Sequence, residues 1–237
     1  MNENRGLQDS ELYEARFQYK ERQSTIRFIG IFLLVLWTLC CLIFAWHSAF
    51  GGVQVSGGSM LPGLQDGDYL LVKYFEVGEE LPYGSVIVLD IEHYPEVQKH
   101  NENNPKNPTK YIIKRLIAKA GDVVRCKDGV VQVRYSGDSS FTTLNEPYAQ
   151  YDNKAAYDFV EDYYVGEGEI FFLGDNRSNS LDSRYNEEKS HLECLYKESD
   201  IYGIVPTWAI ENKKTLEPIF FWRELLAEKL KQRQEKN

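Results

Sequence analysis

The chain has 237 residues, enough for one sizeable domain or two small ones, and a formal net charge of −9. Residues 1–50 contain five basic and five acidic side chains, so the whole net negative charge lies beyond residue 50. An acidic domain argues against nucleic-acid binding, which depends on clustered lysine and arginine.

The first predicted element is an uncharged apolar segment, residues 28–46. A helix of these 19 residues would be about 28 Å long, close to the hydrocarbon thickness of a bilayer. The segment is apolar on every face, which argues against a helix packed on a globular domain. A cleaved signal peptide is the alternative, with a cut near Ala49-Phe50-Gly51, although the apolar run is long for one. We predict a transmembrane helix over residues 27–49.

Lysine and arginine are unequally distributed around this helix. No basic residue follows it until Lys73, whereas five precede it: Arg5, Arg16, Lys20, Arg22 and Arg27. The positive-inside rule predicts that segment 1–26 is cytoplasmic and that residues 50–237 lie outside the cytoplasm. We therefore expect a single-pass protein of the cell membrane, with the lipid bilayer as a partner.

The rest of the chain is typical of short strands separated by glycine-, proline- and aspartate-rich turns. The predicted strands cover residues 53–55, 69–73, 86–89, 111–119, 123–126, 130–135, 169–173 and 201–205. Residues 92–110 are polar, contain three prolines and are predicted as a loop. The expected fold class is mostly β, a barrel-like or sandwich-like domain over residues 50–219. Residues 220–237 predict an amphipathic basic tail with Phe221, Leu225, Leu226 and Leu230 on one face.

Cysteine and histidine give no sign of a metal site. Two of the four cysteines lie in the apolar segment, and Cys126 and Cys194 show no C-x-x-C spacing. Outside the cytoplasm these two are able to form a disulfide, and two unpaired thiols are the alternative. No H-E-x-x-H motif, phosphate-binding loop or dinucleotide fingerprint occurs; the histidines are His47, His93, His100 and His191. We predict no cofactor.

Five short blocks carry the functional signal. In chain order they are Ser59-Met60-Leu61-Pro62, Gly67-Asp68, Gly84-Ser85-Val86-Ile87-Val88, Tyr111-Ile112-Ile113-Lys114-Arg115 with Gly121-Asp122, and GDNRSNSLDSR at residues 174–184. Each block alone is weak, because a solvated loop serine or an exposed lysine would look the same. Together, in this order and after an apolar span, they resemble the bacterial type I signal peptidases over nearly all of residues 26–205.

The resemblance implies roles for individual residues. Ser59 corresponds to the nucleophile, and Lys114 to the general base that later acts as general acid toward the leaving amine. Ser180 corresponds to a serine whose hydroxyl orients the lysine amine, and Asp182 and Arg184 to a supporting ion pair.

Some positions depart from the family pattern. Gly57, which with Met60 supports the nucleophile, stands where some members have a serine that helps to bind the oxyanion. Backbone N–H groups, chiefly that of Ser59, would then bind this oxyanion. Gly63 replaces a usual threonine, and residues 118–120 replace a common Gly-x-Pro.

The chemistry requires an uncharged lysine. With an ordinary pKa near 10.4, keeping a lysine neutral at pH 7 costs about 4–5 kcal/mol. Burial lowers a lysine pKa by up to about 3–5 units, and Lys114 follows the apolar Tyr111-Ile112-Ile113. A Ser-His-Asp triad with His191 is an alternative, although a G-x-S-x-G elbow fails at Leu61.

The resemblance implies a membrane-bound serine endopeptidase that removes signal peptides from exported preproteins, near the export translocon. It also implies a β catalytic core with a smaller inserted region, expected within residues 125–168. Residues 53–55 and the strand before Lys114 are expected to line shallow substrate pockets, because small residues precede signal-peptide cuts. Two alternatives remain: a catalytically silent, membrane-anchored binding protein with this fold, and a specialised relative with a restricted client.

Overall fold

The computed structural model describes residues 3–105, 108–151, 161–184 and 196–235, which form two units, residues 1–49 and 50–237. His191 and Cys194 lie outside the described residues, so the triad alternative and the disulfide remain predictions. Cys126 is buried.

The first unit is one long helix, α1 (Glu3–Ala49). Its segment Tyr19–Ala49 is long and apolar enough to cross a membrane, and it is the one such helix in the described part of the chain. None of its most apolar stretch is buried within the protein. The predicted apolar helix is therefore confirmed, and the helical conformation extends back to Glu3, into the segment predicted to precede the membrane.

The second unit is built on two antiparallel sheets, which confirms the mostly β fold class. The first sheet has the strand order β1-β2-β10-β3-β4-β9, and the second has the order β7-β6-β5-β8. The strands are β1 (Phe50–Gln54), β2 (Tyr69–Tyr74), β3 (Val86–Asp90), β4 (Tyr111–Lys119), β5 (Val123–Lys127), β6 (Val130–Arg134), β7 (Thr142–Thr143), β8 (Tyr163–Tyr164), β9 (Ile170–Leu173) and β10 (Ile201–Val205).

Two core clusters lie on opposite faces of β4 and β9. Leu116 and Phe172 belong to one cluster, whereas their chain neighbours Ile117 and Phe171 belong to the other. This follows from the period-two alternation of side chains along a strand. Strand β4 is thus packed on both faces, and it pairs with β3 on one edge and with β9 on the other in the first sheet.

The hairpin between β5 and β6 turns at Asp128-Gly129, where both residues have positive φ (53° and 69°). This pair of left-handed residues is the usual requirement of a two-residue hairpin, as the sequence predicted. This hairpin forms the centre of the second sheet, most of which lies within residues 125–168, the region expected to be an insertion.

The loop predicted over residues 92–110 is wrong in part, because Pro95–Asn103 forms a helix, α2. Pro95 stands at the start of this helix, where a missing N–H costs nothing and the fixed φ suits the helix. In the last turn of α2, the Asn101 side chain exchanges two 2.7 Å hydrogen bonds with the backbone of Thr109, which joins the following segment to the helix.

The last described residues form three helices: α3 (Thr207–Glu211), α4 (Lys213–Phe220) and α5 (Trp222–Glu235). The tail is helical as predicted, and its apolar residues differ in burial. Phe221, between α4 and α5, is buried and stacks on Tyr69 with ring centroids 5.1 Å apart, but Leu226 and Leu230 are about half exposed (50% and 51%). Only the start of the tail therefore packs on the β domain.

Candidate active site

Strand β4 places Lys114 in the protein interior. Lys114 is paired with Ile87 of β3, a fully buried residue, and is itself only 5% exposed. Its Nζ donates a hydrogen bond to the carbonyl of Ile113 at 3.0 Å. Burial lowers the pKa of the Lys114 amine from its ordinary 10.5 to about 8, against the smaller opposing effect of the Asp182 and Asp175 charges.

Ser59 lies in the loop between β1 and β2, whose two ends are joined by backbone hydrogen bonds. Val55 donates to the Asp68 carbonyl at 2.8 Å and accepts from the Gly67 N–H at 2.9 Å. Within the loop, the N–H of Gly57 donates to Asp66 Oδ1 at 2.7 Å. The closed loop brings Ser59 Oγ to 3.0 Å from Lys114 Nζ, a hydrogen-bond distance.

Gly57 and Met60 support this loop in different ways. Gly57 has φ of +86°, a left-handed conformation that side chains disfavour, and open space surrounds the position of its missing Cβ. Met60 is 1% exposed and anchors the loop to the core. The N–H of Ser59 donates to no group in the described part of the chain, which leaves it available for a ligand oxygen.

The turn after β9 packs directly on this loop. A Cβ at Gly174 would lie 2.7 Å from the Ser59 carbonyl oxygen, so only glycine fits there. The fully buried Asp182 accepts from the Gly174 N–H at 2.9 Å and pairs with Arg184 through two 2.8 Å hydrogen bonds. The ion pair expected from the resemblance is thus present and holds the turn in shape.

Ser180 is placed differently from the expectation. Its Oγ is buried and has no hydrogen-bond partner within the described residues, and the hydroxyl packs against Gly174. The Lys114 amine bonds to Ser59 and to the Ile113 carbonyl. The orienting hydrogen bond between Ser180 and Lys114 is therefore not formed in this structure.

Two further ion pairs, each with one buried member, support the site, and sequence reasoning did not single them out. Arg115, next to Lys114, donates two hydrogen bonds of 2.7 and 2.6 Å to the carboxylate of Asp175. Arg177, only 1% exposed, pairs with Glu146 and donates to Tyr151 Oη at 2.6 Å. The signal for the first pair was present, since both residues belong to the recognised blocks, but no spacing rule indicates that Glu146 reaches Arg177.

A cleft of about 460 Å³ opens over Ser59 and Lys114. The expected pocket residues 53–55 are corrected to 56–58, because Val53 and Val55 point into the core. Ile112 of β4 lines the cleft as expected, and α2 forms part of its wall through Val97 and His100. An open, largely apolar cleft of this size suits an extended peptide with small or apolar side chains.

The lowered pKa of Lys114 predicts an effect on stability. Between pH 8 and 10.5 the unfolded chain binds more protons at this lysine than the folded chain does, so the free energy of unfolding rises with pH in that window. Below pH 8 the full cost is present, about 3 kcal/mol at 1.36 kcal/mol per pKa unit. We expect Lys114→Met to be more stable than wild type at pH 7 by on the order of 1–3 kcal/mol. The measurement is urea unfolding in detergent, followed by tryptophan fluorescence.

The matched control for this measurement is Lys110→Met. Lys110 is exposed and paired with Glu92 at 3.2 Å, so its removal should give no gain in stability. A Lys114→Met variant no more stable than wild type, with an unchanged rise between pH 8 and 10.5, would contradict the lowered pKa.

A hydroxyl beside a buried amine on an open cleft is the arrangement of a serine hydrolase that uses lysine as its base. The chain belongs to the signal peptidase family, peptidase S26, whose sequence model matches residues 25–216, most of the chain. This match confirms the resemblance predicted from the five blocks.

Curated relatives agree with this family. Signal peptidase I T of Bacillus subtilis (strain 168) is 30% identical over 146 residues, 58% of this chain and 65% of the relative. Signal peptidase I of Pseudomonas aeruginosa is 29% identical over 181 residues, 68% of this chain and 61% of the relative. Signal peptidase I of Streptococcus pneumoniae serotype 4 is 29% identical over 188 residues, 66% and 82% of the two chains. The chain thus spans less than two thirds of the length of the first two relatives.

Among solved structures, a signal peptidase I from Enterococcus faecalis V583 resembles the chain. It has a TM-score of 0.34 and 20% sequence identity, and it covers 54% of this chain and 98% of its own.

Proposed function

We propose that this protein is a membrane-anchored serine endopeptidase that removes signal peptides from exported preproteins with a Ser59–Lys114 dyad. One observation carries the proposal: the 3.0 Å contact between Ser59 Oγ and an amine that is 5% exposed, with its pKa lowered to about 8. A silent binding protein would gain nothing from a buried lysine that destabilises its fold. Family membership supports the substrate class, preproteins with signal peptides.

In the proposed reaction, the neutral Lys114 amine accepts the Ser59 hydroxyl proton while Oγ attacks the scissile carbonyl. The carbonyl oxygen becomes an oxyanion that accepts a hydrogen bond from the Ser59 N–H. The Lys114 ammonium then gives its proton to the leaving amine, which leaves the signal peptide as an ester on Ser59. Water hydrolyses this ester with Lys114 again as the base.

The test is cleavage of a preprotein by the full-length protein in detergent micelles. We expect one cut, mapped by mass spectrometry of both products, with small residues at the first and third positions before it. Binding of the preprotein without any cut would favour the silent binding protein instead. Cleavage of one preprotein class alone would identify the specialised relative.

We further propose that Ser180 assists by orienting the Lys114 amine once substrate occupies the cleft. The buried Ser180 hydroxyl has an unused hydrogen-bonding capacity within the described residues, and it packs on the Gly174 turn beside Ser59. Ser180→Ala should then lower kcat by about 10- to 1000-fold, as for one positioned hydrogen bond. Ser178→Ala is the control in the same turn and should be nearly neutral. A Ser180→Ala variant with wild-type kcat would remove Ser180 from the mechanism.

We propose that the N-terminus is cytoplasmic and residues 50–237 are extracytoplasmic. Five basic residues precede the apolar stretch of α1 and none follows closely. Protease added to intact spheroplasts should digest the β domain and spare residues 1–26. A cytoplasmic-type reporter fused at residue 60 should be inactive; activity there would reverse the topology and contradict processing of exported chains.

A further inference from the structure

Asn176, in the turn after β9, holds both peptide units that flank Ser59. Its side-chain Nδ2 donates to the Gly58 carbonyl at 3.1 Å, and its backbone N–H donates to the Ser59 carbonyl at 2.9 Å. These two contacts join positions more than a hundred residues apart in the chain. They fix the orientation of the nucleophile's own backbone.

The bond to Gly58 sets the direction of the Ser59 N–H. The Gly58–Ser59 peptide is trans, so its C=O and N–H point in opposite directions. Because Asn176 Nδ2, together with the N–H of Leu61 at 3.2 Å, binds the Gly58 oxygen, the Ser59 N–H points away from the Asn176 turn. No described group accepts from this N–H, and Ser59 lines the cleft.

This orientation has to be imposed by contacts, because the residues before Ser59 do not impose it. Gly57 and Gly58 are both glycines, the residue type with the greatest backbone freedom. Gly57 also carries no side chain that could share the binding of an oxyanion. The direction of one backbone N–H is then the main determinant of oxyanion stabilisation.

We infer that Asn176 is a positioning residue that aims the Ser59 N–H at the developing oxyanion. The inference rests on the proposed function. Asn176 affects the transition state rather than substrate binding, because its side-chain amide is bonded to the Gly58 carbonyl and does not line the cleft. The Asn176 turn is itself held by neighbouring contacts, since Gly174 bonds to Asp182 and packs on Ser59.

The test compares Asn176→Ala and Asn176→Asp with wild type in the full-length protein. Aspartate keeps the shape of asparagine, but its carboxylate oxygen cannot donate to the Gly58 carbonyl. We expect kcat/KM to fall about 100-fold in both variants with little change in KM, the usual size of effect for a misplaced reacting or oxyanion-binding group. The pH profile of kcat/KM for Asn176→Ala should keep its midpoint near pH 8, since the surroundings of Lys114 are unchanged.

A peptide aldehyde, with the substrate sequence before the cut and an aldehyde in place of the scissile carbonyl, distinguishes a misdirected Ser59 N–H from a general loss of structure in the site. Ser59 Oγ bonds to the aldehyde carbon, its proton passes to Lys114, and the carbonyl oxygen becomes the tetrahedral oxygen that the Ser59 N–H binds. In the Asn176 variants, the affinity for the aldehyde should fall in parallel with kcat/KM. The affinity for an uncleavable peptide of the same sequence should stay unchanged. A structural defect would weaken both ligands equally and would overturn the inference.

The control pair is Gln132→Ala and Gln132→Glu in β6. The Gln132 amide also donates one side-chain hydrogen bond, to Thr143 Oγ1 at 2.9 Å, but it lies in the second sheet. These variants should keep wild-type kinetics. If wild type cuts preproteins and the Asn176 variants match it, the inference fails alone. If wild type neither cuts a preprotein nor binds the aldehyde, the proposed function fails.

Discussion

Ser59→Ala and Lys114→Met should each lower cleavage by at least about 1000-fold, while both variants remain folded. Each removes one half of a single proton-transfer unit, because Ser59 Oγ and Lys114 Nζ are hydrogen-bonded at 3.0 Å. The double variant should therefore be hardly slower than either single variant. The measurement is kcat/KM on a preprotein, with Lys110→Met as the control for loss of a lysine near the start of the same strand.

A different result at Lys114 would redirect the mechanism. If Lys114→Met kept most of its kcat, the base would lie elsewhere, and His191 would be the next residue to replace. Lys114→Arg should be inactive, because arginine stays protonated at every accessible pH.

Cleavage should rise about 100-fold between pH 6 and pH 9. With the pKa of Lys114 near 8, about 1% of the amine is neutral at pH 6 and about 90% at pH 9. Only the neutral fraction accepts the serine proton, so kcat/KM should follow one ionisation with a midpoint near pH 8. The measurement is the pH dependence of kcat/KM for a peptide substrate without titratable side chains.

A histidine-dependent profile would contradict Lys114 as the general base. Such a profile would have its midpoint near pH 6.5, the ordinary histidine value. The rise in kcat/KM near pH 6.5 would also disappear in His191→Ala, which would favour a Ser-His-Asp triad.

The parts of the structure predicted from sequence are those with a local signal. Strand β4 has the predicted bounds, because residues 111–119 are rich in apolar side chains and are followed by the turn at Gly121-Asp122. Ser59 and Lys114 were singled out by motif order, and their contact follows from the fold that this order identifies. Helix α2 was missed because a polar stretch with three prolines was predicted as a loop, although a proline at the start of a helix is favourable.

The rest depends on contacts between distant segments. Glu146, after β7, pairs with Arg177, and Asn176 donates to Gly58, in the loop between β1 and β2; both contacts join segments that are far apart in the chain. No periodicity or turn rule relates such positions. The absent bond between Ser180 and Lys114 is a matter of side-chain geometry, which a motif does not specify.

The most direct measurement is the location of the acyl group during turnover. A peptide substrate is mixed with the full-length protein, quenched in acid within milliseconds, and the protein is digested and mapped by mass spectrometry. We expect the N-terminal product, less one water, as an ester on the peptide that contains Ser59, and no adduct in Ser59→Ala. An acyl group on another residue, or steady cleavage by Ser59→Ala, would contradict it.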